Sequence, residues 1–222
     1  MADITATNLT KGGSGTSSSE NTASISPGAN KLILVSVQTF LNAGVPPIPT
    51  ISGCGMTWVQ IDTRRSSSDD DWRITMFRGL SSSPSAGALT ISFGGTNNQA
   101  QWSVDELDNT SLSGTNGSGA IAQVASNDQA GTATGITVTL GAFANTLNAT
   151  YGAVVLSGVK AISPGSGFAE VIESQNNGTI ETEFKTENDT SVDWSWGSDS
   201  FAVVAMAIEI VKKSGGGFFA IL

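Results

Sequence analysis

Histidine is absent from this 222-residue chain, and cysteine occurs once, as Cys54. Without histidine there is no Ser-His-Asp or Cys-His catalysis and no His-ligated zinc, iron or copper. One cysteine excludes an intrachain disulfide, a cysteine-clustered zinc site and an iron–sulfur cluster. Charge is also scarce, at 13% of residues, and positive charge scarcest: 10 Lys+Arg stand against 19 Asp+Glu, a net charge of −9. Nucleic acid and anionic membrane are therefore poor partners, because phosphate contact needs clustered Lys and Arg. No apolar run approaches the ~18 residues that a membrane-spanning helix needs. The first residues, Met1 to Thr7, lack the basic and apolar regions of a secretory signal. No cofactor is expected.

What the chain does contain is glycine (26), serine (30) and threonine (24), with 39% hydrophobic residues and a mean hydropathy of +0.04. The dominant pattern has period two. Trp72, Ile74 and Met76 alternate with Arg73, Thr75 and Phe77, and the segments 89–93 and 136–140 alternate cleanly. Residues 179–185 read as a half-solvated strand. Segments 32–40, 151–156 and 201–211 are apolar on both faces and read as central strands covered on both sides. Turn clusters such as Ser52-Gly-Cys-Gly55, Gly94-Gly-Thr-Asn-Asn98 and Ser163-Pro-Gly-Ser-Gly167 separate these runs. The pattern predicts an all-β fold: an antiparallel jelly-roll-like β-sandwich, a single domain over residues 20–211 with extended N- and C-terminal arms. Residues 1–19 read as a flexible arm, and 212–222 as a glycine linker with an apolar tail. No exact internal repeat is found.

Arg64, Arg65, Arg73 and Arg78 are the only arginines, and they bracket Asp69-Asp-Asp71. They read as a partner-binding patch, led by Arg64 and Arg65, or as a hairpin whose acidic tip neutralises its own arms. The aspartate run lacks the spacing of a calcium loop. Glu181 and Glu183 share a strand face, as glycosidase carboxylates do, yet an ordinary solvated strand accounts for them better. Trp194 and Trp196 share a face and could stack on a sugar, although tryptophans in strand patterns usually pack in cores. Cys54, without a histidine or a nearby base, reads as a reduced thiol without catalytic role. The apolar segment Phe218-Phe-Ala-Ile-Leu222 beyond three glycines reads as a hook for a neighbouring subunit, through Phe218, Phe219, Ile221 and Leu222.

The phrases Leu89-Thr-Ile-Ser-Phe-Gly-Gly-Thr96, Gln101-Trp-Ser-Val-Asp-Glu-Leu-Asp108 and Asn116-Gly-Ser-Gly119 resemble β-sandwich structural proteins of tailed bacteriophages and prophages. Segments 32–37, 51–58 and 73–78 are similar to the same group. The resemblance implies a non-enzymatic virion protein, made in the bacterial host cytoplasm: a capsid decoration (cement) protein or a tail module. Its implied partners are the major capsid protein or other virion proteins, and further copies of itself in a homo-oligomer. The alternative is a tail receptor-binding or carbohydrate-binding sandwich, whose partner is a glycan.

Overall fold

Strands form wherever alternating or doubly apolar runs fall between glycine- and asparagine-rich turns. The computed structural model describes residues 2–67, 71–129, 132–200 and 202–214. Its first half contains β1 (Thr5–Ser14), β2 (Ser17–Asn21), β3 (Leu32–Phe40), β4 (Thr50–Gly53), β5 (Val59–Arg65), β6 (Trp72–Leu80), β7 (Leu89–Asn97) and β8 (Gln99–Asp108). After one 3-10 turn at Ser118–Ala120 come β9 (Ile121–Gln129), β10 (Ala133–Thr139), β11 (Ala149–Ser157) and β12 (Ile162–Pro164). The chain continues with β13 (Ala169–Gln175), β14 (Gly178–Lys185), β15 (Ser191–Ser200) and β16 (Val203–Ile210). Every pairing between these strands is antiparallel.

The sandwich occurs twice. In the first half a sheet ordered β1-β8-β3-β6-β5 faces a sheet ordered β2-β7-β4. In the second half β9-β16-β11-β14-β13 faces β10-β15-β12, the same order with every strand replaced by the one eight places later. Pairing first with eighth, second with seventh and third with sixth strand is the double Greek key of a jelly roll. Even the irregularities recur. The β5–β6 ladder skips one residue between Gln60 and Asp62, and β13–β14 does so between Glu170 and Ile172. The β2–β7 ladder jumps from Asn97 to Ser92, and β10–β15 jumps from Ser200 to Ser195.

The two five-stranded sheets lie face to face across one core, with β1 over β13 and β8 over β14 matched by β9 over β5 and β16 over β6. Leu34, Ile74, Met76 and Leu107 from one half meet Tyr151, Val155, Ile180 and Met206 from the other. The arrangement has pseudo-two-fold symmetry and four layers, with a further core under each outer sheet. Both inner sheets are covered on both faces, so β3, β11 and β16 are buried nearly throughout, as their doubly apolar sequences require.

Four expectations change at this level. Residues 5–14, read as part of a flexible arm, form β1 along the edge of β8, where Gly12 admits the Trp102 ring. Residues 179–185, read as half-solvated, are buried on both faces through Phe184, because β12 and β15 cover the side that carries Glu181 and Glu183. Arg73, Thr75 and Phe77 are buried too, for they point at the outer sheet rather than at water. Lys212 and Lys213 do not float free: Lys212 bridges Thr110 and pairs with Asp3, and the Lys213 N–H donates to the Asn109 carbonyl at 2.8 Å.

Candidate functional site

The arginine cluster sits where the two halves meet. Arg64, near the end of β5, reaches across the seam and forms an ion pair with Asp128 of β9, which also accepts the Ser67 N–H at 2.7 Å. Burial raises the Asp128 carboxyl, but these hydrogen bonds from Ser67 and Arg64 outweigh it and hold the group below the ordinary aspartate range. Among the described residues, Arg64 is thus neutralised by the other half of the molecule. Arg65 lines the same hollow of about 470 Å³ with Arg64, Ser66, Ser67 and Arg73. Arg73 is fixed below it, donating from Nε to the Pro46 carbonyl at 2.9 Å and from Nη1 to Thr63 at 2.9 Å. Arg78 does not join the group; it lies five residues along β6 from Arg73, toward the other end of that strand. Asp69 and Asp70, the core of the calcium candidate, lie outside the described residues, as do Phe218, Phe219, Ile221 and Leu222.

Glu181 and Glu183 project from β14 into the second sandwich, both fully buried. Glu181 accepts the Trp194 indole N–H at 2.6 Å, and Glu183 accepts the Gly165 N–H at 2.9 Å; the other oxygen of each has no partner among the described residues. Burial, then repulsion from Asp193 and Asp189, pushes the Glu183 carboxyl up to about 8. Burial and the neighbouring Glu183 push the Glu181 carboxyl well above the ordinary glutamate range as well. Two carboxyl groups held protonated are what acid catalysis wants, but neither reaches a surface where a polysaccharide could lie. Trp194 and Trp196 are 2% and 5% exposed and pack with Val154, Leu156 and Ile162, so sugar stacking is closed to them.

A third carboxylate, Asp105, is buried at the seam itself and was not singled out by sequence. It accepts from Asn8 (2.7 Å), Ser103 (2.9 Å), Thr182 (2.9 Å) and the hydroxyl of Tyr151 (2.6 Å), the chain's single tyrosine. These donors come from both halves. Burial raises its carboxyl above the ordinary range while the four donors oppose the shift. Cys54 is a free, buried thiol held in the left-handed region (φ 56°), its Sγ on the Gly87 carbonyl at 3.4 Å, and burial pushes it up rather than activating it.

One surface feature escaped sequence reasoning altogether. Between β4 and β5 runs an apolar groove of about 360 Å³, lined by Ile48, Thr50, Ile51, Trp58, Gln60 and Phe77. Its signal was the run Val45-Pro-Pro-Ile-Pro49, a loop with two large apolar side chains left 45% and 44% exposed, Val45 and Ile48. Among the described residues no helix is long and apolar enough to cross a membrane and no acidic or cysteine cluster is arranged to hold a metal ion. Comparison with family models, with curated proteins and with solved structures finds no match.

Proposed function

We propose that the chain is a non-enzymatic virion structural protein, a capsid decoration protein that binds the outer shell and its own copies. The observation that carries this reading is the doubled jelly roll: two sandwiches fused through one continuous core make a rigid block suited to bracing a lattice. Jelly rolls build capsids and lectins alike, so fold alone does not choose between them. The choice rests on what the surfaces offer. The carboxylate pair that a glycosidase would use is sealed, and the paired tryptophans of a sugar-binding reading are core residues. A net charge of −9 favours the outside of a shell over its DNA-lined interior.

The test incubates pure protein with particles from its native source and follows co-sedimentation, with a glycan array and polysaccharide hydrolysis run in parallel. The reading expects saturable binding to particles, no glycan preference and no turnover. Turnover abolished by one Asp or Glu substitution, or glycan capture without particle binding, would contradict it.

A further inference from the structure

The first sandwich has an empty strand position. Its eight strands divide five and three because β5 joins β6, so among the described residues the outer sheet ends at β4, with no strand paired along its outer edge. Bare edges are sites for strand addition, and natural sheets cover or cap them. The second sandwich does cap its counterpart. There the edge strand β12 gives the Ile162 N–H to Glu173 at 2.6 Å, and the following Gly165 gives its N–H to Glu183 at 2.9 Å. In the first sandwich the position of Glu183 belongs to Phe77: Phe77 opposes Gln60 just before the β5 bulge, as Glu183 opposes Glu170 just before the β13 bulge. On the outer edge of β4 only Gly53 is capped, its carbonyl accepting the Trp58 indole N–H at 3.2 Å and the Met56 N–H at 3.3 Å, and no described side chain hydrogen-bonds the backbone of Ile51. The slot is therefore apolar and open where its twin is acidic and shut.

We infer that this slot takes the segment Phe218–Leu222 of a second copy of the chain as an added strand. The segment carries four large apolar side chains and no charge, and it follows Gly215-Gly-Gly217. Extended, five residues span ~17 Å, a typical strand length. Alternation would turn Phe218, Ala220 and Leu222 to one face, matching a groove floored by Ile51, Trp58 and Phe77. The chain's own slot is out of convenient reach. Lys213 is anchored to Asn109, just past the end of β8, and β8 lies three strands from β5. That is ~14 Å laterally plus ~10 Å up to the outer layer. The five peptide steps from Lys213 to Phe218 cover at most ~18 Å, which leaves nothing for a path around the surface. A neighbouring copy has no such constraint, and the contact is head-to-tail.

The inference deepens the assembly reading above and rests on it only in requiring self-association. Two variants test it. One lacks residues 214–222 and so has a slot but no strand; the other, Ile48→Asp, has a strand but a charged slot, at a site exposed enough to leave folding intact. Circular dichroism checks that both fold. Sedimentation velocity should show concentration-dependent self-association of the full chain, weakened at least tenfold in each variant. A mixture of the two variants should regain one-to-one association. The peptide Gly-Gly-Gly-Phe-Phe-Ala-Ile-Leu should bind the truncated protein and change its tryptophan fluorescence. A mixture that stays monomeric overturns the inference. So does a full-length monomer whose truncation uncovers peptide binding, because the occupant would then be the chain's own segment. Particle binding by a protein that never self-associates would leave the decoration reading standing and remove this one.

Discussion

Glu183 shows what single residues contribute and what their sequence context hides. Its folded carboxyl titrates near 8, against an ordinary value of 4.5. The folded state therefore holds a proton that the unfolded chain releases between those values. Stability from this group is fully present below about pH 4.5 and is lost as pH rises through 8. Glu183→Gln removes the ionisation while keeping an oxygen for the Gly165 N–H. The variant should unfold at higher denaturant than the parent at pH 9, by ~1–2 kcal/mol. The difference should vanish below pH 4.5, and an unchanged difference across that range would refute a buried protonated carboxyl. Alternation told correctly that Glu181 and Glu183 share a face opposite Ile180, Thr182 and Phe184. It could not tell that a second sheet covers that face, because period two reports sidedness and not the number of layers. Asp105 is one of several acidic residues that sequence offers for a carboxylate pair, but its buried network was invisible for a related reason: its donors Tyr151 and Thr182 lie far along the chain, in the other half.

Among the strands, the doubly apolar segments within β3, β11 and β16 were legible because burial on both faces removes polar residues from both registers. β1 was not. Its Gly12-Gly-Ser-Gly15 stretch has the composition of a linker, but Gly12 is there for space: a Cβ at that position would sit 2.5 Å from Cζ2 of Trp102. Gly12→Ala should therefore destabilise the fold by ~1–3 kcal/mol through overpacking, as read from chemical denaturation. A neutral result would restore the flexible-arm reading of residues 1–19. The groove between β4 and β5 went unseen because an open slot is a property of which strand pairs with which. β5 carries no residue that announces its choice of β6 over β4.

For the whole molecule, the doubling was illegible because matched positions share shape more than identity. Ser92-Phe-Gly94 and Ser195-Trp-Gly197 occupy equivalent places before equivalent ladder jumps, and only the structure gives that likeness a meaning. The same symmetry makes a strong physical claim. Each five-stranded sheet presents one apolar face to the other, so neither half has a complete surface without its twin. Arg64–Asp128 and the Asp105 network tie the seam at its edge and its centre. Two jelly rolls joined this way should unfold as one cooperative unit, unlike two domains on a tether. Scanning calorimetry of the full chain tests this most directly. The account predicts a single transition whose calorimetric and van't Hoff enthalpies agree. Two separable transitions, or a calorimetric enthalpy near twice the van't Hoff value, would contradict it.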